Sequence, residues 1–275
     1  MNNNNDFTRA PGQAPRPEFQ LQNEQSSRQA TPQRTAASKP HRRTQNRRFA
    51  MTTPVTYLFC AICLVVFCID FFMPQYNIHT MGLKNNDLIL DGGEYYRLFT
   101  CTLLHASIIH ILNNLIMFKA FGSICENRIN SVKFTVLILG TALSASMSSL
   151  VFTSANSVGA SGICFGMIGA AMSINGIQRF NPNLAKACWS TIIINIILGI
   201  LNTNIDNAAH LGGLVGGWIL GFGFGLCSNT VVDKILKILS FIAYGALIYV
   251  LYGMTNGTIP NPHIDIPSFN IIPII

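Results

Sequence analysis

Charge is what this sequence has least of. Only 11% of its 275 residues are Asp, Glu, Lys or Arg, against 49% hydrophobic, where soluble domains carry about 25% charged residues. That shortage sets aside a water-soluble globular domain. The net charge of +7 does not restore it, because nine of the 18 Lys and Arg precede Pro54, with only Asp6, Glu18 and Glu24 as acids there. Aromatic platforms are also missing from that basic segment, which holds just Phe7, Phe19 and Phe49. A nucleic-acid module needs a basic face with interleaved aromatics, so no nucleic-acid partner is expected. No apolar stretch follows the start, which argues against a signal peptide.

A disulfide or metal pattern is absent too. Of the eight cysteines, Cys60, Cys63, Cys68, Cys125, Cys164, Cys188 and Cys227 lie in or beside apolar runs, and Cys101 sits at the edge of one. Buried Cys packs as a small apolar residue. Cys60 and Cys63 spell C-x-x-C, but no second pair accompanies them. No H-E-x-x-H motif occurs. No metal and no cofactor are therefore expected.

What the chain does have is apolar length. Residues 1–53, rich in Asn, Gln, Pro, Ser, Thr and Arg, cannot bury enough apolar surface to order themselves and read as a disordered basic tail. Arg42, Arg43, Arg47 and Arg48 close that tail and read as a topology anchor, with anionic lipid binding as the alternative. From 54 to 252 apolar runs recur at about 55–73, 102–121, 132–152, 158–177, 187–204, 207–226 and 235–252, each near the length that crosses a ~30 Å hydrocarbon core. Residues 253–275, with Pro260, Pro262, Pro267 and Pro273, read as an extracytosolic tail. The fold class is thus an all-α polytopic membrane protein of seven spans. A cytosolic N-terminus puts sixteen of the 18 Lys and Arg inside, leaving only Lys84 and Arg97 outside, as the positive-inside rule asks. Asn256-Gly257-Thr258 then forms a glycosylation sequon on the outer side, close to the membrane.

Polar groups at membrane depth are costly and mark function. The second run holds His105, His110, Asn113 and Asn114. The fourth opens Gly159-Ala160-Ser161-Gly162, and the sixth contains Asp206, Asn207 and His210. All three runs cross from outside to inside in the topology above, so these groups fall in one shallow outer layer. His110 and Asn114, four apart, share a helix face. His105 and His110, five apart, are separated by about 140° on a helix and could not chelate one metal. His210, Gly213, Gly217 and Gly221 form a small-residue stripe, and Gly162 and Gly166 another, which lets two helices approach closely and brings the Ser161 hydroxyl to the His210 imidazole. Asp206 reads as the cap of its helix. Singly, each feature has an ordinary structural account: a serine bonding back to its helix, a structural histidine, glycines for packing. Together they define one site.

These residues resemble the rhomboid family of intramembrane serine proteases. Gly159-Ala160-Ser161-Gly162 resembles its G-x-S-G box. Ala209-His210-Leu211-Gly212-Gly213 with Gly217 resembles A-H-x-x-G-x-x-x-G, and His105, His110 and Asn114 resemble H-x-x-x-x-H-x-x-x-N. Glu126 and Glu94-Tyr95-Tyr96-Arg97-Leu98 match further elements, with Tyr96 where Trp is common; Arg97 and Glu126 are expected to be structural. The resemblance covers about 54–252. It implies a six-helix bundle plus one extra C-terminal transmembrane helix, as in the eukaryotic secretory-pathway branch. It implies Ser161 as nucleophile and His210 as its base, a dyad without a third member. His110, Asn114 and the Ser161 N–H would stabilise the oxyanion, and Gly159, Gly162 and His105 would support the site. Phe165 would support the His210 ring, where Tyr is common. Substrates would be single-span membrane proteins cut within or near the outer end of their helix. A secretory-pathway, endosomal or plasma membrane is expected, with the mitochondrial inner membrane as the alternative.

Two other classes compete. An inactive relative would bind membrane clients but lack Ser or His, and both are present. A transporter or channel would show paired repeats or mid-membrane charge, and the spans carry neither.

Overall fold

The computed structural model describes residues 53–178, 180–201, 205–226 and 230–260. Most of the expected basic tail (1–52), Arg179, Cys227 and the C-terminal tail beyond 260 lie outside the described residues. The described chain is helical, with no strand and one isolated backbone bridge between Lys84 and Ser157.

Among the described residues six helices are long and apolar enough to cross a membrane: α1 (Pro54–Phe72), α5 (Ile108–Ile129), α6 (Ser131–Phe152), α8 (Pro182–Leu201), α9 (Asn207–Gly225) and α10 (Val231–Thr255). A seventh apolar helix, α7 (Ser161–Ile177), is shorter at 17 residues. Short helices α2 (Ile78–Gly82), α3 (Asn86–Leu90) and α4 (Arg97–Thr100) fill the segment between α1 and α5. The chain is an integral, multi-pass membrane protein.

The seven runs thus become seven helices, and local chemistry sets their ends. Ser107 accepts from the His110 N–H at 3.2 Å and Asn130 from the Lys133 N–H at 3.1 Å, each satisfying a free amide of a helix start. Pro54 and Pro182 stand at first helical positions, where the missing N–H costs nothing. These signals correct the run boundaries. The second span is not 102–121: a 3-10 turn occupies Cys101–Leu103, Leu104 is extended, and the helix starts at Ile108 and continues to Ile129. His105 therefore lies in the loop before α5, and the helical angle between His105 and His110 does not apply. Helices α8 and α10 start earlier than their runs, at Pro182 and Val231, and α10 continues to Thr255.

Burial ranks the helices. About 67% of the α6 span and 56% of the α9 span are buried, against 17% for α1 and 11% for α10. With α7, where most residues from Gly162 to Asn175 are buried, α6 and α9 form the centre. The outer helices turn Leu58, Val65, Ile116, Ile193 and Ile242 outward. In water that apolar surface would drive aggregation; in lipid it is the expected face.

Candidate active site

The site is built on the starts of α5, α7 and α9. Ser161 is the first residue of α7 and is half-buried. One turn on, Phe165 points from the same face. Its ring stacks on the His210 imidazole, centroids 4.2 Å apart and planes within 12°. Both side chains are buried. The helices can meet this closely because a methyl group at Gly213 would overlap the Gly162 carbonyl, and one at Gly217 the Gly166 carbonyl. The sequence stripe therefore does what its spacing suggested. It also understated the packing: the opposite side of α9, at Gly212 and Gly216, presses on Ser144 and Ser148 of α6. The small residues Ser144 and Ser148 were the signal for that second contact, while Ala145 beside them meets Gly162 of α7.

Gly159, two residues before Ser161, has φ +127°, a conformation side chains rarely adopt. Its N–H donates to the Cys101 carbonyl at 2.9 Å. A Cβ there would lie 2.7 Å from the His110 ring and 3.5 Å from Asn114 Nδ2. His110 and Asn114 thus converge on the backbone just ahead of Ser161. Cys164 Sγ donates to the Asn114 carbonyl at 3.4 Å, joining α7 to α5. Asn114 is buried, and its Nδ2 has no hydrogen-bond partner. His105 is also buried with neither ring nitrogen partnered. Its ring meets His110 edge-on at 5.2 Å and lines a cavity of about 740 Å³ that reaches Phe67, Asp70, His79 and Ile109.

The head of α9 is held by Asp206. Its Oδ1 accepts from the Ala209 N–H at 2.9 Å, and its carbonyl accepts from the His210 N–H at 3.1 Å. Asp206 is the helix cap, and its second oxygen is occupied by the Ser149 hydroxyl at 2.5 Å. No hydrogen bond joins the His210 ring to Asp206 or to Ser161 here. The Ser149–Asp206 link was not legible in the sequence, where 57 positions separate the two.

Arg97 and Glu126 hold the frame. Buried Arg97 donates from Nη1 to the Thr80 and Leu83 carbonyls, both at 2.9 Å, and from Nε to Glu94 at 2.6 Å. Hydrogen bonds from Tyr96 and Arg97 hold the Glu94 carboxyl below the usual carboxylate range. Glu126 accepts from the Val55 and Thr56 N–H groups at 3.0 and 2.9 Å, and from the Thr56 and Ser131 hydroxyls at 2.8 and 2.6 Å. One carboxylate thereby caps α1 and ties it to α5 and α6. Among the described residues no group of three or more His, Cys, Asp or Glu is placed to hold a metal.

Residues 92–227 match the family model of the Rhomboid domain, which takes in Ser161, His210, His110 and Asn114. The chain belongs to the rhomboid family. It is 31% identical over 242 residues to rhomboid protease GluP of Bacillus subtilis (strain 168), covering 84% of this chain and 48% of that protein. It is 36% identical over 152 residues to RHOMBOID-like protein 1 of Arabidopsis thaliana, covering 54% of this chain and 39% of that one. Putative rhomboid protease YdcA of Bacillus subtilis (strain 168) is 27% identical over 187 residues, 66% of this chain and 94% of its own length. The chain spans about half the length of GluP, and less of the plant relative. Bacterial and plant rhomboids both match, so similarity alone does not single out the secretory-pathway branch. The match to the family model ends at 227, so α10 lies beyond the matched residues.

Proposed function

We propose that this rhomboid is an intramembrane serine endopeptidase that uses Ser161 as nucleophile and His210 as general base. The observation that carries the reading is the meeting of three helix starts: Phe165, one turn below Ser161, stacks on His210, while His110 and Asn114 close on Gly159 just ahead of Ser161.

The Ser161 hydroxyl attacks the scissile carbonyl carbon, and its proton passes to the His210 ring. Catalytic hydrogen bonds often tighten only with substrate in place, so the Ser161–His210 bond forms in the complex. The carbonyl oxygen becomes an oxyanion. The unpartnered Asn114 Nδ2–H, a His110 ring N–H and the Ser161 backbone N–H are donors for it. Collapse breaks the C–N bond, and the amine leaves with the proton from His210. Water, deprotonated by His210, then cleaves the acyl-Ser161 ester, releasing a carboxylate and restoring the hydroxyl. At ~1.5 Å per residue α7 spans about 26 Å, less than the ~30 Å hydrocarbon layer. A helix this short leaves room for Ser161 to sit below the outer surface, where the polar groups around it would keep the pocket wet.

The substrates that fit are single-span membrane proteins whose helix unwinds near its outer end, because an intact helix shields its carbonyls. The basic tail lies in the cytosol, with the site open to the opposite side. Purified protein reconstituted with a fluorogenic transmembrane substrate tests the reading. Wild type cleaves, and Ser161→Ala and His210→Ala do not. Cleavage that survives Ser161→Ala would remove the assignment.

A further inference from the structure

Lys84 lies in the turn between α2 and α3, and its side chain is fully buried. Lysine almost never reaches that state without partners. Its ammonium donates to the carbonyls of Thr153 at 2.9 Å, Ala155 at 3.0 Å and Ser149 at 3.4 Å. Three donors meet three acceptors, at the negative end of the α6 dipole. The main chain of the same residue holds the same linker. Lys84 N–H donates to the Ser157 carbonyl at 3.0 Å, and Ser157 N–H to the Lys84 carbonyl at 3.2 Å. Two residues on stands Gly159, and Ser161 follows. Lys84 therefore grips the linker 153–160 at its beginning and its middle. From Ser149 the path continues to His210: the Ser149 hydroxyl donates to Asp206, the cap of α9.

We infer that Lys84 is a positioning residue for the Ser161–His210 pair, its ammonium fastening the linker that places Ser161 to the end of α6, whose Ser149 holds the cap of the His210 helix. The inference rests on the reading of Ser161 and His210 given above.

A pH signature separates positioning from plain stability. Burial lowers the Lys84 pKa to about 8, against Asp206 and Cys101, the charged and titratable groups that face it and raise it. The ammonium is complete below that pH and lost above it. A neutral amine has two hydrogens for three carbonyls, so one contact fails and the linker loosens. Activity then falls as pH rises through about 8. Stability moves the other way. The unfolded Lys84, with a pKa near 10.4, keeps its proton longer than the folded one. Its contribution to stability therefore increases with pH across that window.

The test compares wild type, Lys84→Met, Lys84→Arg and Ser161→Ala in proteoliposomes with a transmembrane substrate. It measures kcat, KM and unfolding midpoint from about pH 6 to about pH 9.5, either side of the lysine titration. Lys84→Met is expected to lose roughly tenfold or more in kcat, with KM within about twofold, because displaced reacting groups cost rate. It lacks the alkaline fall that wild type shows near pH 8. Lys84→Arg stays charged throughout and keeps its own neutral-pH kcat into the alkaline range. If Lys84→Met does not fold, the alkaline comparison of wild type with Lys84→Arg decides. Equal kcat in Lys84→Met at every pH, or an alkaline fall shared by every active variant, overturns the Lys84 assignment and leaves Ser161 standing. No cleavage by wild type, or cleavage that survives Ser161→Ala, overturns both.

Discussion

An amide N–H buried without a partner costs about 1–3 kcal/mol, and Asn114 keeps one beside Gly159. An oxyanion arriving there would repay it. Asn114→Ala is therefore expected to lower kcat by roughly 10²–10³-fold while leaving the unfolding midpoint unchanged or slightly raised; equal losses in both would mark Asn114 as structural. Phe165 is a different case. Its ring is the face on which His210 rests, so Phe165→Ala should cost about 3–5 kcal/mol and activity together, whereas Phe165→Tyr keeps the stack and should retain activity. At this scale the sequence was informative where a polar residue interrupts an apolar run, as Ser161, His210 and Asn114 do. It was silent where the partner is remote. Nothing near Ser149 or Lys84 announces that one meets Asp206 and the other meets three carbonyls, because such contacts exist only once the helices are packed.

Among the elements, α9 matters most, being held on two sides by backbone-close contacts. Gly213 and Gly217 face α7, and Gly212 and Gly216 face α6. Gly217→Leu is expected to push α9 from α7 at about 1–3 kcal/mol of overpacking and to abolish cleavage by parting Ser161 from His210; undiminished cleavage would show that the close approach is dispensable. Glu126 works at the base of the frame. Glu126→Ala leaves the first-turn amides of α1 uncapped and should lower stability by about 1–3 kcal/mol, read from thermal unfolding in detergent. The helices themselves were legible from hydropathy, but their ends were not. The second run begins at 102 because Leu103 and Leu104 extend the apolar stretch towards Ile108, yet Ser107 caps the helix that follows. That single cap moves His105 from a helix into a loop.

Over the whole molecule, a buried centre of α6, α7 and α9 is ringed by helices that turn apolar side chains outward. Lipid supplies the surroundings that water would supply to a soluble protein. The C-terminal α10 lies beyond the residues that match the family model, but it is tied to the core. Tyr244 Oη donates to the Gly140 carbonyl at 2.6 Å, and Ser240 Oγ to the Ile219 carbonyl at 2.5 Å. Such interhelical bonds are worth about 0.6 kcal/mol each in membranes, enough to fix its seat without making it essential to the core. In the proposed mechanism Ser161, at the head of the short α7, acts beneath the surface, and the substrate must unwind to reach it. Substrates with strong helix formers such as Leu near the outer end of their span are expected to be cut more slowly; cleavage indifferent to that change would refute the unwinding requirement.

The claim on which the rest depends is that His210 takes the proton of Ser161. The most direct test is the rate at which a fluorophosphonate labels Ser161 in wild type and in His210→Ala, with the adduct located by mass spectrometry. The account expects the label on the peptide carrying Ser161, slowed at least about a hundredfold without the imidazole. Labelling at another residue, or at an unchanged rate in His210→Ala, would contradict it.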